Sequence, residues 1–355
     1  MTTTPPQETS AAPKERIAYL DNARYWVMLL VVIGHSLTQF VDMDSARGVY
    51  VWIYSFHMPL FILISGFLAK SYRGSPRQVR RLVSTLVVPY LLVETSLQVI
   101  FRHYTGEPER YMLLSPQWLA WFLAALFVWR LTTPIWNALR YPVTTSIAIS
   151  LLVGLIEVPN VLALPKILGF LPFYVIGLQM TPERFARLAD VRIRIASAVL
   201  LAGSFVVCYL YSRHWTLDWL LWKQRYDEAP LEATPLEGIT QRAELLALGL
   251  LLTAAALSLI PRHRSWYSAM GERTLYAYLL HGYVILVLRY EFGLFGFLSD
   301  YGAPAAAAVI VGAAVLGHLL MTRVVSRIFR PLFEPRLDWL FRTEDEARPA
   351  RTARS

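Results

Sequence analysis

Long apolar runs separated by short polar stretches make up most of the chain. A membrane-spanning helix needs about 20 mostly apolar residues, and each run must be helical because the bilayer interior offers no water to free backbone groups. The pattern predicts spans at 24–42, 49–69, 82–102, 117–137, 142–159, 161–180, 192–212, 242–260, 272–290 and 303–322. The predicted fold class is therefore all-α, a polytopic membrane protein with about ten transmembrane helices.

The fifth and sixth runs are the least regular part of this pattern. They meet at Pro159 and carry Glu157, Pro165 and Lys166 near the join. The same residues fit two full spans or one re-entrant pair, and the sequence leaves that choice open.

Composition supports this architecture. Of 355 residues, 55% are hydrophobic and 17% are charged, whereas an ordinary soluble domain has roughly 25% charged residues. The chain divides into a disordered cytoplasmic N-terminal tail at 1–18, a transmembrane domain at 19–325 and a cytoplasmic C-terminal tail at 326–355, of which residues 342–355 are polar and disordered. The first tail lacks the apolar segment of a signal peptide, so the first span is predicted to be retained.

Lysine and arginine cluster in alternate loops, including those after the second, sixth, eighth and tenth runs. The loops at 41–48, 103–116 and 213–241 are instead balanced or acidic. By the positive-inside rule both termini lie in the cytoplasm, and the 213–241 loop is the largest external feature of a multi-pass plasma-membrane protein. The same bias accounts for the net charge of +9, so no nucleic-acid partner is expected.

The first run carries polar residues on one helical face. Arg24 and His35 are eleven residues apart, which at 100° per residue places them within about 20° of each other and roughly 16 Å apart along the axis. Asp21 lies one turn before Arg24. Such groups are costly in a bilayer unless they line a polar cavity, although a lone membrane histidine also serves as an interhelical hydrogen-bond partner.

Further motifs follow this Arg24-x10-His35 spacing in order along the chain. They are Phe56-His57-Met58-Pro59-Leu60-Phe61, Ser65-Gly66-Phe67, Arg77-x2-Arg80, Gly271-Glu272-Arg273-Thr274-Leu275 and Tyr276 to His281. This set resembles acyltransferase family 3, and the residues around Arg24 and His35 resemble its fucose 4-O-acetylase-like branch. The resemblance runs from residue 16 to about residue 282 and implies a membrane-embedded O-acyltransferase.

The resemblance implies transfer of an acyl group, in the first place acetyl, from cytosolic acyl-CoA to a hydroxyl of a carbohydrate or related acceptor. His35 is the expected general base, because a neutral imidazole is available near pH 7 to take the hydroxyl proton. Arg24 would hold a phosphate or stabilise an oxyanion, and Asp21 completes the expected catalytic group. The alternative for Arg24 is a residue that only flanks the span on the cytoplasmic side.

Further residues are assigned to binding. Arg77 and Arg80 are expected to contact the phosphates of CoA, although topology and anionic lipids explain them equally well. Ser65 and Gly66 leave room for a pantetheine arm or for a neighbouring helix. Acceptor-binding candidates are His57, His281 and Glu94. For the two histidines, positioning of His35 and structural hydrogen bonding are the alternatives. Glu94 is also a candidate partner that orients the base.

Two other functions remain open. A transporter or exporter would use the buried histidines and arginines as a proton relay or as counter-ions, and a non-catalytic family relative would only scaffold a complex. No metalloprotease, α/β-hydrolase, nucleotide or dinucleotide motif is present, so no metal cofactor is expected. Trp118 and Trp121 are predicted to belong to an interfacial aromatic belt. The acceptor, the acyl chain, direct or covalent transfer, and a homo-oligomeric state are left open.

Overall fold

A computed structural model of the chain describes residues 18–106, 112–335, 337 and 339–341. Every regular element in this part of the chain is helical, which confirms the all-α fold class. The first helices are α1 Ala18–Leu37, α2 Asp44–Ala69, α3 Pro76–Leu82, α4 Val88–Thr105, α5 Trp121–Ala138, α6 Pro142–Leu152, α7 Leu164–Gly169 and α8 Leu171–Gln179. The remaining helices are α9 Pro182–Arg187, α10 Val191–Tyr211, α11 Pro235–Leu259, α12 Ser268–Gly271, α13 Thr274–Tyr290, α14 Leu294–Ser299, α15 Ala303–Leu320 and α16 Arg323–Phe333.

The predicted tails fall mostly outside the described residues. Residues 1–17 and 342–355 lie outside the described part of the chain. Ala18, the last residue of the predicted N-terminal tail, begins α1. The segment predicted as a C-terminal tail opens with α16, whose Phe333 is buried against the rest of the protein.

Six helical segments in the described part of the chain are long and apolar enough to cross a membrane. They are Asp44–Ala69, Pro76–Thr105, Trp118–Ala138, Val191–His214, Pro235–Leu259 and Ala303–Leu320. The second of these is continuous because a π-helical turn at Val83–Val87 joins α3 to α4. The protein is therefore a multi-pass membrane protein, while the count of about ten spans and the orientation of the termini stay predictions.

Each of the remaining predicted runs also contains helix. α1 is absent from the six because its polar residues lower its hydropathy, and α13 because it has only 17 residues. The fifth run forms the shorter apolar helix Pro142–Leu155. The sixth run is broken, with Val161–Gly169 and Leu171–Gln179 bent by 60°. A bend of that size fits a broken span or a re-entrant loop within the sixth run, and the choice between two full spans and a re-entrant pair stays open.

α2 is the central helix of the bundle. The membrane-spanning window of α2 is 72% buried, against 11% for that of α10 at the periphery. α8 crosses α2 so closely that a Cβ at Gly66 would meet the backbone of Tyr174, and a Cβ at Gly177 would meet the backbone of Leu63. Glycine on both helices is what permits this contact.

The start of α1 and the end of α2 lie at the same end of the molecule. The ring of Phe185 contacts Tyr19 at a centroid distance of 5.8 Å and Phe67 at 5.0 Å. α3, with Arg77 and Arg80, follows α2 directly and therefore belongs to this end as well. We call it the arginine end of the bundle.

Candidate active site

The polar residues of α1 face α13. At the start of both helices, Arg24 Nη2 donates to Thr274 Oγ1 at 3.0 Å. Further along, Nδ1 of His35 lies 2.8 Å from Nε2 of His281, near the middle of α13. Two residues of one helix thus contact one neighbouring helix, as their spacing on a common face predicts.

At the arginine end, the chain itself satisfies the buried amide of Asn22. Nδ2 of Asn22 donates to the carbonyl oxygens of Pro261 at 2.8 Å and His263 at 2.9 Å, and its Oδ1 accepts from Ser268 Oγ at 2.6 Å. A Cβ at Gly271 would collide with the carbonyl of Asp21. The late glycine-containing motif therefore docks against the start of α1, although about 250 residues separate the two in sequence.

Arg24 and Asp21 lie well away from His35. Arg24 Nη1 contacts Asp21 Oδ1 at 3.4 Å, and the two side chains are 21% and 9% exposed. Eleven helical residues separate Arg24 from His35, or roughly 16 Å of axis. The structure therefore does not bring all three predicted catalytic residues to one reacting atom, because Asp21 and Arg24 pair with each other at the far end of α1.

The hydrogen bonds fix the proton positions on the two stacked imidazoles. Nδ1 of His281 lies 2.8 Å from the carbonyl oxygen of Ala277. A carbonyl only accepts, so Nδ1 of His281 carries the hydrogen and its Nε2 is a bare acceptor in the neutral ring. His35 must then donate from Nδ1, which leaves Nε2 of His35 as an unprotonated nitrogen able to accept.

His35 lines a cavity of about 90 Å³ inside the bundle. Its main polar and aromatic walls are His35, His57, Trp118, Trp121, Lys166 and Tyr278. His281 is fully buried and is not on the wall, so the Nδ1 edge of His35 points into the protein and its Nε2 edge is left toward the cavity. This arrangement is that of a base held from behind by a second imidazole.

His57 is a second imidazole on the cavity wall. Its Nδ1 donates to the carbonyl oxygen of Ile53 at 2.8 Å, so its Nε2 is also an unprotonated acceptor. The ring packs edge-on against Tyr54 at 4.7 Å. Of the three predicted acceptor-binding residues, His57 is the one on the cavity wall.

Glu94 lies away from the cavity and holds the segment that leads into α5. It is fully buried and accepts from Gln98 Nε2 at 2.6 Å and from the backbone N–H of Gln117 at 2.8 Å. Gln98 in turn bonds both the N–H and the carbonyl of Met112. The structure thus gives Glu94 a positioning role for the residues before Trp118 rather than a place on the cavity wall or a bond to His35.

The prediction that Trp118 and Trp121 form an interfacial belt is wrong. The Trp118 ring lies 5.3 Å from the His35 ring, and both tryptophans line the cavity. The reason is the anchoring by Glu94, which folds the segment at 112–117 against the bundle and directs these rings inward. A long-range contact of this kind leaves no trace in a hydropathy pattern.

Lys166 is a site residue that the sequence reasoning missed. It lies on α7, lines the cavity and places Nζ 4.9 Å from the centroid of the Trp121 ring. The sequence showed Lys166 only as an irregularity in an apolar run. The usable signal was the charge itself, because an ionisable residue within a membrane segment marks a functional site by default.

The predicted CoA-binding residues divide into two groups. Ser65 Oγ donates to the carbonyl of Phe61 at 2.8 Å, and the space beside Gly66 is filled by α8. Helix packing therefore accounts for the Ser65-Gly66 pair, and no room remains there for a pantetheine arm. Arg77 is exposed on α3, and the guanidinium of Arg80 lies 5.8 Å from the Phe341 ring, both at the arginine end.

A segment of the 213–241 loop covers the other end of the cavity. Leu220 and Leu221 line the cavity. Next to them the guanidinium of Arg242, which is 1% exposed, lies 4.8 Å from the Trp222 ring and 5.3 Å from the Tyr226 ring. Burial raises the pKa of the Tyr226 phenol, which stays protonated and donates to the carbonyl of Leu151 at 2.8 Å. Trp222 is itself buried.

Within the residues that the structure describes, no group of three or more histidine, cysteine, aspartate or glutamate side chains is arranged to hold a metal ion. The polar groups on the cavity walls are imidazole nitrogens, one ammonium group, and the phenol and indole groups of the aromatic residues.

Comparisons with known proteins cover nearly the whole chain. The model of a family described as an acyltransferase domain matches residues 17–323. The nodulation protein NolL of Sinorhizobium fredii is 25% identical over 337 residues, covering 87% of this chain and 88% of that protein. NolL of Mesorhizobium japonicum is 24% identical over 349 residues, covering 89% of each chain. No solved structure matches the chain.

Proposed function

The chain belongs to acyltransferase family 3 and is a membrane acyltransferase, and from this premise we propose that it moves a short acyl group, in the first place acetyl, from acyl-CoA to a hydroxyl of a carbohydrate or related acceptor. We also propose that it belongs to the fucose 4-O-acetylase-like branch and works in the plasma membrane. The observation that carries the proposal is the ordered chain from the Ala277 carbonyl through His281 to His35, which leaves one basic nitrogen toward a cavity.

His35 is the general base of the proposed reaction. The acceptor hydroxyl gives its proton to Nε2 of His35 as its oxygen attacks the thioester carbon. His281 accepts a hydrogen bond from Nδ1 of His35 both before and after this proton arrives, so it holds the ring in one tautomer and one orientation. General-base catalysis of this kind contributes roughly 10² to 10⁴-fold to a rate.

The arginine end suits the phosphates of the donor. Roughly 16 Å of helix separates Arg24 from His35, a span comparable to an extended pantetheine arm, so a CoA whose phosphates lie by Arg24 can bring its thioester to the cavity. Guanidinium forks bind phosphates in two-point geometry, and Arg77 and Arg80 add further positive charge at this end. The predicted topology puts this end in the cytoplasm, where acyl-CoA is made.

The cavity favours a small acyl group. Its volume of about 90 Å³ and its enclosure by aromatic side chains suit a short acyl group. The aromatic walls formed by Trp118 and Trp121 suit the apolar face of a sugar ring, and the free Nε2 of His57 can accept from a second hydroxyl.

The experiment is product identification with labelled donor. The purified full chain in lipid nanodiscs is given acetyl-CoA carrying a heavy acetyl group, together with the carbohydrate pool from cells that lack the gene. The proposal predicts release of free CoA thiol and a heavy acetyl ester on one carbohydrate, both dependent on the protein. Movement of a solute into proteoliposomes without any thiol release would instead indicate the transporter alternative and overturn the proposal.

A further inference from the structure

The cavity contains a cation that the described chain does not neutralise. Lys166 is the one lysine or arginine on the cavity wall, and no described carboxylate lines that wall. In the covering loop, Asp218, the acidic residue nearest in sequence to Leu220 and Leu221, pairs instead with Lys223 at 3.6 Å. Among the described residues, the recorded contact of the Lys166 ammonium is with the face of Trp121.

Such a charge is expensive in this position. Lys166 is partly shielded from solvent, and an ion within a membrane segment is unfavourable unless it pairs with an opposite charge or faces a polar cavity. A ring face 4.9 Å away compensates only part of this cost, because a cation–π contact is weaker than pairing with a full opposite charge. The remaining deficit favours a group that brings negative charge into the cavity during function.

The position of Lys166 relative to His35 indicates which group brings this negative charge into the cavity. Both side chains line one cavity of about 90 Å³, so a single small acyl group in it lies against both. His35 offers a nitrogen that takes a proton but no charge for the carbonyl oxygen of the same acyl group. The cavity walls otherwise offer that oxygen imidazole, phenol and indole groups, none of which carries a fixed positive charge.

We propose that Lys166 is a catalytic residue that stabilises the oxyanion formed on the acyl carbonyl during transfer; this rests on the proposed function. As the acceptor oxygen bonds to the thioester carbon, its proton passes to Nε2 of His35 and the carbonyl electron pair moves onto oxygen beside Nζ of Lys166. Collapse of this intermediate restores the carbonyl and breaks the carbon–sulfur bond. The departing CoA thiolate then takes the proton from His35, so that ester and thiol are the products.

Local structure keeps the ammonium group in place. Pro165 begins the first turn of α7, and Ile167, on the other side of Lys166, is buried and accepts a hydrogen bond from Nε1 of Trp129 at 3.1 Å. Trp121 then limits the side chain from the α5 side. A fixed donor needs no reorganisation when charge appears on the substrate, which is the condition for strong electrostatic stabilisation.

The experiment compares Lys166→Met and Lys166→Arg with Arg192→Met, the loss of an exposed cation near the start of α10 and outside the cavity wall. Loss of one oxyanion-stabilising group lowers kcat by roughly 10² to 10³-fold. We expect that fall in Lys166→Met, with KM for donor and acceptor within a factor of about two, partial recovery in Lys166→Arg, and wild-type kinetics in Arg192→Met. Binding of acetyl-CoA by Lys166→Met shows that the variant is folded.

The results separate this inference from the function beneath it. If the wild-type protein transfers acyl groups and Lys166→Met keeps its kcat, the inference alone is overturned. An increase only in the KM for the acceptor, at unchanged kcat, also overturns it, because Lys166 would then bind an anion carried by the acceptor. If Lys166→Met does not fold, Lys166→Arg decides. A fall in kcat of less than about 10²-fold at unchanged KM, which is the expected partial recovery, supports the inference. A rise in the KM for the acceptor at unchanged kcat overturns it. Absence of transfer by the wild type overturns the proposed function and this inference together.

Discussion

The α1–α13 contact has two ends that differ in how their polar groups are satisfied. At the arginine end, Asn22 makes three hydrogen bonds to the chain, and Arg24 bonds Thr274 and Asp21. At the other end, His35 makes one bond, to His281, and leaves Nε2 toward a cavity. The same pair of helices thus builds a firmly bonded anchor at one end and an open basic nitrogen at the other.

This difference separates two tasks along one helix. The anchored end fixes the position of α1 against α13, and its partly exposed guanidinium suits a phosphate that stays bound throughout the reaction. At the open end, Nε2 of His35 takes up a proton during the reaction itself. Variants at the two ends should therefore affect different kinetic constants, and the following predictions test that division from the largest effect to the smallest.

The largest effect is expected for His35→Ala. Removal of the general base should lower kcat by roughly 10³-fold or more, because this form of catalysis contributes about 10² to 10⁴-fold. The KM for acetyl-CoA should stay close to that of the wild type. The matched control is His214→Ala, which replaces an exposed histidine in the loop after α10. This variant should keep wild-type kinetics. A measured kcat for His35→Ala near the wild-type value would remove His35 from the mechanism.

The next largest effect is expected for His281→Phe, which keeps a buried ring and removes the acceptor for Nδ1 of His35. The base then lacks its fixed tautomer, and kcat should fall by roughly 10²-fold, less than for loss of the base itself. Because the two imidazoles act as one unit, the double variant His35→Ala/His281→Phe should be no slower than His35→Ala. Multiplicative losses in the double variant would show that the residues act independently.

Arg24→Lys tests the arginine end. The substitution keeps the charge and removes the planar fork, so the KM for acetyl-CoA should rise by about 10-fold, which corresponds to about 1.4 kcal/mol, while kcat changes little. Arg192→Lys, at an exposed position near the start of α10, serves as the control. A fall in kcat with unchanged KM would place Arg24 at the reacting atoms and erase the division between the ends.

Gly34→Ala should have the smallest effect. A Cβ at Gly34 would lie 3.0 Å from Cε2 of Tyr54, so the ring beside His57 must move. We expect a fall in kcat of roughly two- to five-fold and a loss of stability of about 1 kcal/mol, at the low end for an overpacked contact. Gly203→Ala, where nothing lies within 4 Å of the new Cβ, should leave kcat unchanged and should not lower stability, because alanine is favoured over glycine inside a helix. Thermal unfolding in nanodiscs and initial rates provide the measurements.

Much of the fold could be predicted because a membrane leaves the backbone few choices. Every predicted apolar run contains helix, and the irregular run at 161–180 is the one that bends. The helix ends were harder to predict. α1 covers residues 18–37 rather than 24–42 because its first, polar turns are buried against α12 and the residues before it, a contact that hydropathy does not report.

The residues of the candidate site also differ in how well the sequence predicts them. His35 and Arg24 were predictable because both lie on one helix, where spacing determines the shared face. The roles of His281, Glu94 and Lys166 depend on contacts between residues far apart in the chain, such as the bond across 246 positions between His35 and His281. Spacing along the sequence carries no information on such contacts, so the role of His281 stayed open between positioning His35, binding the acceptor and structural hydrogen bonding, and Lys166 was overlooked.

The central claim is that one end of the α1–α13 contact holds the donor phosphates and the other end performs the chemistry. A cryo-EM structure of the protein with a thioether analogue of acetyl-CoA tests this claim most directly. The account predicts phosphate density beside Arg24 and the acyl group in the cavity, within hydrogen-bond reach of Nζ of Lys166 and next to His35. Phosphate density at the end covered by Leu220 and Leu221, or an acyl group outside the cavity, would contradict it.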